Sequence, residues 1–177
     1  MKKSIPQWQM AGFVFVSIAG TLLHFAFDWS GQREFAGLFS AVNESIWEHM
    51  KLIFYPMALF ALVAYRFWGK EHPRFWCTKF TGILTALLLI PMLYYTYTGI
   101  LGVSIDWLNI TIFFLAAGAA FWLETHIFLQ NHPCRLPART AMLLMILMAI
   151  TFTVFTFRPP EIPFFLDPVT KTYGLQR

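Results

Sequence analysis

Charged residues are scarce in this chain. Lys, Arg, Asp and Glu together make up 12% of the 177 residues, whereas apolar residues make up 58%. A soluble domain carries roughly 25% charged residues, so a water-surrounded globule is excluded. The net charge is +4, but the basic residues form no continuous stripe, so no nucleic-acid partner is expected. The composition is that of an integral membrane protein.

Cysteine is almost absent as well. The chain holds only Cys77 and Cys134, and neither belongs to a paired redox motif or a haem-attachment motif. The topology inferred below places both near the cytoplasmic face, where thiols stay reduced, so we expect unpaired thiols without a role. The His-Glu-x-x-His motif of zinc proteases is also missing. Any metal site therefore has to be assembled from several helices.

Long apolar runs, in contrast, are plentiful. A hydrocarbon core of about 30 Å needs about 20 apolar residues in a helix that rises about 1.5 Å per residue. Five segments meet this requirement, at residues 8–27, 46–67, 79–101, 107–129 and 140–157. Because the connecting segments are short, consecutive helices should pack antiparallel. The sequence predicts an all-α integral membrane bundle of about five transmembrane helices over residues 1–157.

The last segment, residues 158–177, differs in character from the bundle. Four prolines exclude a regular helix there: Pro159, Pro160, Pro163 and Pro168. The apolar residues 164–166 make a freely extended tail unfavourable. We expect a Pro-rich, non-helical C-terminal tail that folds over the extracytoplasmic end of the bundle.

The distribution of basic residues predicts the orientation. In the five-span topology one side carries Lys2, Lys3, Arg66, Lys70, Arg74, Lys79, Arg135 and Arg139. The other side carries Arg33, Lys51, Arg158, Lys171 and Arg177. The positive-inside rule then places the N-terminus in the cytoplasm and the C-terminus outside. We expect a bacterial cytoplasmic (inner) membrane location, with membrane lipids as neighbours and an oligomeric state that the sequence leaves open.

A dense polar cluster stands directly before and inside the second span. It reads Asn43-Glu44-Ser45-Ile46-Trp47-Glu48-His49-Met50-Lys51. Ionisable groups are costly at a membrane helix, so a functional site is the natural hypothesis. In a helix that includes residue 44, Glu44, Glu48 and Lys51 form one stripe. The two carboxylates would repel there unless the helix N-terminus, Lys51, a shared proton or a bound cation offsets them.

A second polar group lies in the first span. His24 and Asp28 are four residues apart and share one helix face, near the same end of the bundle. If a short loop brings this face against the second span, His24, Asp28 and His49 form a ligand set for a divalent metal such as zinc. Either Glu44 or Glu48 can replace Asp28 in that set.

The other groups of this pocket are assigned to acid–base chemistry and binding. Glu48, Glu44 and Lys51 are the candidate catalytic residues, because a carboxylate can take a proton from a metal-bound water. Three further polar residues are expected to line the pocket: Asn43, Ser45 and Tyr97.

Several interpretations stay open. The cluster is also compatible with a capped helix start, with Ser40 or Asn43 as the N-cap, or with a buried hydrogen-bond network. The functional hypotheses are a metal-dependent hydrolase or transferase for a lipid-like substrate, a small-solute, ion or proton transporter with a water path to Glu124, and a non-catalytic membrane subunit. Haem bound by His24 and His49 is a fourth. The sequence does not decide whether the chain is an enzyme.

Four segments carry a resemblance to a known family. They are His24-x-x-x-Asp28-Trp29-Ser30-Gly31, Phe39-Ser40-Ala41-Val42 followed by the polar cluster, Tyr95-Thr96-Tyr97-Thr98-Gly99, and Asp167-Pro168-Val169-Thr170-x-Thr172-Tyr173-Gly174. On these motifs the chain resembles an uncharacterised family of small bacterial multi-pass membrane proteins, a domain of unknown function. The resemblance implies a compact helical membrane protein and transfers no activity. It also implies glycine at position 171, where this chain has lysine.

Overall fold

Six α-helices make up most of the described chain. The computed structural model describes residues 5–130 and 134–175, so Lys2, Lys3 and Arg177, which contributed to the predicted orientation, lie outside the described residues. The helices are α1 (Ile5–Trp29), α2 (Glu34–Gly37), α3 (Ile46–Phe67), α4 (Phe75–Leu101), α5 (Asp106–Gln130) and α6 (Ala138–Phe157). In the described ranges there is no β-strand, only an isolated bridge between Leu166 and Tyr173.

Five of the helices, all except the one-turn α2, are long and apolar enough to cross a membrane. Each coincides with a predicted span, and the largest difference is at α4, which begins at Phe75 instead of residue 79. The prediction of an all-α bundle with five apolar helices is confirmed. The chain is a multi-pass helical membrane protein.

The long helices pack as a ring of four with one helix outside it. α1 and α4 each pack against both α3 and α5, while α6 lies against α3 and α4. α3 is the most buried of these helices. In its most apolar 18-residue stretch, 56% of the residues are buried, against 22% in the corresponding stretches of α1, α4 and α6. The polar residues at the start of α3 are therefore surrounded by protein.

The bundle has two ends, each named here by the feature that it contains. The tail end consists of the connections at residues 30–45 and 102–105 together with the tail at residues 158–175. The disulfide end consists of residues 68–74 and 134–137, beside which Cys77 is bonded to Cys134. Which side of the membrane each end faces stays a prediction.

Helix α3 begins later than the polar cluster suggested. Ser45 is its N-cap, and its Oγ accepts a hydrogen bond from the backbone N–H of Glu48 at 3.4 Å. The expectation of Ser40 or Asn43 as the cap is therefore wrong. Ser40 donates to the carbonyl of Ala36, and Asn43 Oδ1 accepts from the Ser45 N–H. Glu44 consequently precedes the helix, and the predicted stripe through residues 44, 48 and 51 does not form.

The tail packs against the start of α3 and the end of α6. The Trp47 ring lies 5.0 Å from the Phe165 ring and 4.6 Å from that of Phe152 on α6. A backbone hydrogen bond also holds the tail to α6, because the Leu175 N–H donates to the carbonyl of Thr156 at 2.9 Å. Phe165 is buried. The apolar residues of the tail thus find the cover that a free tail would lack.

One turn of the tail contains a residue in an unfavourable backbone conformation. Lys171 has φ of +60°, in the left-handed region that glycine adopts without steric cost. Its N–H donates to the backbone carbonyl of Asp167, and the Asp167 side-chain Oδ1 accepts from the Val169 N–H at 2.7 Å. This is the position where the family resemblance implies glycine.

Replacing Lys171 with glycine is expected to stabilise the protein by about 0.5–1 kcal/mol. The left-handed conformation costs a non-glycine residue about 1–2 kcal/mol, which exceeds the entropy that glycine loses on folding. Thermal unfolding in detergent measures the effect. Val169→Gly in the same turn is the control and should destabilise, since Val169 lacks a positive φ. A lower melting temperature for Lys171→Gly would contradict this account of the turn.

Candidate metal site and intramembrane cavity

Three potential metal ligands converge at the tail end of the bundle. His24 of α1, Glu44 of the connecting segment and His49 of α3 each offer one ligand atom, and these atoms lie within 4.8 Å of one another. Glu44 Oε2 is 3.3 Å from His49 Nε2, and Glu44 Oε1 is 3.8 Å from His24 Nε2. We call these three residues the His–Glu–His cluster. The first and last of these residues, His24 and His49, are 25 positions apart in the sequence.

The orientation of His49 is fixed by the start of α3. His49 Nδ1 lies 2.9 Å from the carbonyl oxygen of Ser45. A carbonyl only accepts, so Nδ1 must carry the proton of this hydrogen bond. Nε2 is then directed at Glu44, and it donates a hydrogen bond to the carboxylate when the ring carries a second proton there. Metal-binding histidines are commonly held by this kind of second hydrogen bond, which fixes the ring and its tautomer.

His24 has an unused polar atom. Its Nδ1 is buried and has no hydrogen-bond partner among the described residues. The ring lies 5.4 Å from the ring of His49. A buried polar atom without a partner is costly, so a water or a bound ion that contacts Nδ1 would remove that cost.

Glu44 supplies the negative charge of the cluster. The hydrogen bond from His49 is the main cause that lowers the pKa of the Glu44 carboxyl, and this effect outweighs the opposing effect of partial burial. The nearby histidines lower the pKa further, while the charge of Asp167 raises it. Glu44 is therefore an ionised carboxylate at neutral pH, which makes it a potential oxygen ligand.

A cavity of about 720 Å³ opens beside the cluster, between α1, α3, α4 and α5. Its interior is mainly apolar, with walls that include Leu52, Ile90, Ile112 and Phe113. Thr21 and Tyr94 are polar residues of the helix interiors, and the other polar lining residues lie toward the helix ends: His24, Glu44, His49, Ser104, Asp106 and Asn109. The volume is within the range of about 300–1,000 Å³ for small-molecule sites. The arrangement is that of an apolar pocket with a polar mouth.

The far wall of this cavity is braced by Tyr97. Its hydroxyl donates to Asn109 Oδ1 and accepts from the Ile105 N–H at 3.2 Å. The Asn109 amide in turn donates to Ser104 Oγ at 3.1 Å. Tyr97 itself is not among the residues that line the cavity. Tyr97, which was expected to line the pocket, thus holds Asn109 in position, and Asn109 in turn holds Ser104. Asn109 and Ser104 both line the cavity.

The predicted catalytic pair Glu48 and Lys51 lies away from the cavity. Lys51 Nζ is 2.6 Å from Glu48 Oε2 and also donates to the Gly37 carbonyl and to Thr156 Oγ1. Glu48 accepts further hydrogen bonds from Thr156 Oγ1 and from the Val42 N–H. Both side chains are at most 2% exposed. These contacts join α3 to α6 and to the residues before α3, so a catalytic role for the pair stays a prediction.

The remaining predicted site residues have separate positions. Asp28 is exposed on α1 and is not a member of the His–Glu–His cluster, in which Glu44 provides the carboxylate. Asn43 binds the tail, because its amide donates to the carbonyl of Gly174 at 3.0 Å. Ser45 caps α3. Of the predicted metal ligands, the structure brings together His24 and His49, and it adds Glu44 from the predicted acid–base set.

A second buried polar group was missed by the sequence analysis. Lys79 Nζ is 2.5 Å from Glu124 Oε2, and Gln9 contacts both side chains at 2.8–3.0 Å. All three residues are at most 2% exposed. Lys79 was counted only as an orientation signal. Its position near the start of α4, level with Glu124 near the end of the antiparallel α5, was the available signal.

The two cysteines were also misjudged. Cys77 and Cys134 form a disulfide, with Cα atoms 6.0 Å apart. The expectation of unpaired thiols is therefore wrong. The predicted topology places both residues at the same end of the bundle, and that proximity was the available signal for a disulfide bond.

Comparison with known proteins identifies a family. No curated protein and no solved structure matches the chain. The family DUF6512, described as a family of unknown function, matches residues 1–175. The match covers the bundle, the His–Glu–His cluster and nearly all of the tail. The chain therefore belongs to the family of unknown function DUF6512.

Proposed function

We propose that the His–Glu–His cluster binds a divalent metal ion, with zinc as the best fit, and that the ion promotes hydrolysis or group transfer on a lipid-like molecule. The observation that carries the proposal is the convergence of three ligand atoms within 4.8 Å at the mouth of an apolar cavity. Two imidazoles and one carboxylate suit zinc and related ions. Because catalytic zinc sites commonly use three protein ligands, a fourth position stays available for water or substrate.

The chemistry follows from the open position. A zinc ion held by the cluster would lower the pKa of a bound water to about 7 and would so supply a hydroxide for attack on a carbonyl carbon. Asp106 is the other carboxylate among the described cavity-lining residues and is the candidate general base. The bond to the leaving group then breaks, and that group takes up a proton.

The cavity suggests the substrate class. An ester or amide group at the mouth would reach the cluster, while an attached hydrocarbon chain would occupy the apolar interior between the helices. The described lining residues include no lysine or arginine. A lipid without a phosphate in its head group is therefore favoured, since phosphate recognition usually relies on those side chains.

The transporter hypothesis receives less support. A proton or ion path to Glu124 would need access to a carboxylate that is fully buried and bonded to Lys79 and Gln9. The Lys79 amine is further enclosed by the rings of Phe60 and Phe121, at 5.4 and 5.3 Å. These contacts favour a structural ion pair.

Metal content of the purified full-length protein tests the proposal. Wild-type protein dialysed against zinc and then washed is expected to hold about one zinc per chain. His49→Ala and Glu44→Gln should each weaken binding by at least about tenfold, because each removes a ligand from a small set. Inductively coupled plasma mass spectrometry and a competition titration with a chelator measure the two quantities.

Two control variants make this test specific. His126→Ala removes a histidine that stacks on Trp122, and Asp28→Asn removes an acid next to the cluster but outside it. Both should retain the metal. Wild-type protein that binds no zinc tightly, or equal loss in the controls, would contradict the proposed site. If zinc binds but Asp106→Asn leaves lipid ester hydrolysis unchanged, the assignment of the base is wrong while the metal site stands.

A further inference from the structure

The disulfide joins two cysteine residues with different exposure. Cys77 lies in the first turn of α4 and is 2% exposed, whereas Cys134 is half-buried in the segment before α6. Their Cα separation of 6.0 Å is within the normal range for a disulfide. An attacking group from solution therefore reaches Cys134 more easily than Cys77.

A groove of about 470 Å³ leads to this bond. It is lined by three apolar residues, by both cysteines, by Thr81 and by Arg135, which is the charged residue among the described lining residues. The Thr81 Oγ1 lies 3.7 Å from Cys134 Sγ. Arg135 directly follows Cys134 and is exposed. A positive charge beside the accessible sulfur favours the approach of an anionic thiolate.

The charge distribution favours the cytoplasmic side for this end of the bundle, where a disulfide is unusual. Among the exposed basic residues, the disulfide end carries Arg66, Lys70, Arg74, Arg135 and Arg139, and the tail end carries Arg33, Arg158 and Lys171. Lys51 and Lys79 do not count toward either side, because both are buried in ion pairs. The positive-inside rule thus favours a cytoplasmic disulfide end. Cytoplasmic disulfides are usually transient, because that compartment is reducing.

We infer that Cys77 and Cys134 form a reversible thiol–disulfide exchange site, in which Cys134 is the sulfur attacked by a dithiol reductant. One thiolate of the reductant attacks Cys134 Sγ, and the bond between the two cysteines breaks. Cys77 leaves as a thiolate and takes up a proton. The second thiol of the reductant then displaces Cys134, so the reductant becomes a disulfide and the pair gains two electrons and two protons.

The redox state in living cells tests reversibility. Cells that express the full chain are quenched with acid and alkylated with N-ethylmaleimide, and the peptides are quantified by mass spectrometry. The pair should be mostly reduced during growth, mostly disulfide-bonded after diamide, and reduced again after the diamide is removed. A pair that is disulfide-bonded in all three states, or reduced in all three, overturns the inference.

Single-cysteine variants test which sulfur reacts. With glutathione disulfide as the probe, Cys134 in the Cys77→Ser protein should form a mixed disulfide on the order of tenfold faster than Cys77 in the Cys134→Ser protein, because access controls the rate. Equal rates, or a faster Cys77, would overturn the assignment of Cys134.

The role of Arg135 has a matched control. Reduction of the wild-type disulfide by glutathione should slow by about two- to fivefold in Arg135→Gln, since the attacking thiolate loses an electrostatic attraction. Arg139→Gln removes an exposed arginine that does not line the groove and should leave the rate unchanged. Equal rates in both variants would contradict the proposed approach through this groove. The site lies at the opposite end of the bundle from the His–Glu–His cluster, and the inference does not rest on the metal.

Discussion

Replacing Lys51 with methionine is expected to lower the free energy of unfolding by about 3–5 kcal/mol. The Lys51 amine bonds to Glu48, to the Gly37 carbonyl and to Thr156, all inside the protein. Without the amine, the Glu48 carboxylate stays buried with no opposite charge beside it, and its loss of hydration is no longer offset. Thermal or denaturant unfolding in detergent measures the change.

Two further variants separate this effect from simple loss of a lysine. Lys70→Met removes an exposed lysine and should change stability by less than about 0.5 kcal/mol. The double variant Lys51→Met with Glu48→Gln should recover at least half of the loss, because replacing both partners of a buried pair is often nearly neutral. A Lys51→Met protein as stable as wild type would contradict a structural pair. The catalytic role predicted from the sequence would then be the better interpretation.

The second large effect is expected at the buried pair of α4 and α5. Lys79→Met should destabilise by about 3–5 kcal/mol, since it removes the counter-charge of a fully buried carboxylate. Glu124 has little compensation, because its Oε1 has no hydrogen-bond partner among the described residues. Gln9 would be its remaining donor. The same unfolding assay applies.

A glycine provides an independent probe of this pair. A methyl group at Gly82 would overlap the Glu124 carboxylate, so Gly82→Ala should destabilise the wild-type protein. In a Glu124→Ala background with Lys79→Met, the same change should cost much less, because the overlapping group is gone. Additive effects of the two sites would show that Gly82 does not contact Glu124 in the folded protein.

The bundle could be predicted because its signal is local. Each of the five spans is a continuous apolar run, and helix length in a membrane follows from the rise per residue and the thickness of the hydrocarbon core. The end of α4 was also predicted correctly, at residue 101, where Gly102 adopts φ of +72°. Such features depend on a few consecutive residues and need no knowledge of packing.

The site was predicted less completely because one helix start decides it. With Ser45 as the N-cap, Glu44 turns to the two histidines, while Glu48 turns to Lys51. The expected repulsion between the two carboxylates is avoided by this separation. The helical stripe predicted through residue 44 could not show this separation. Which of several polar residues becomes the N-cap depends on the surrounding contacts.

The missed pairs share a different cause. Lys79 and Glu124 come from different helices, and Cys77 of α4 is bonded to Cys134 of the segment before α6, so both pairs meet only through tertiary packing. In both cases the predicted topology placed the partners at the same depth in the bundle. The sequence did not show which helices are neighbours. The same depth along the bundle axis would have been a usable criterion for proposing both pairs.

The most direct test of the central claim is X-ray absorption at the zinc edge of the zinc-loaded, full-length protein. A site made of His24, Glu44 and His49 predicts nitrogen and oxygen ligands at about 2.0–2.1 Å, with outer-shell scattering from two imidazole rings. The Glu44→Gln and His49→Ala proteins should lose this signal, and the His126→Ala protein should keep it. A spectrum of fully hydrated zinc, or one without imidazole scattering, would contradict the account.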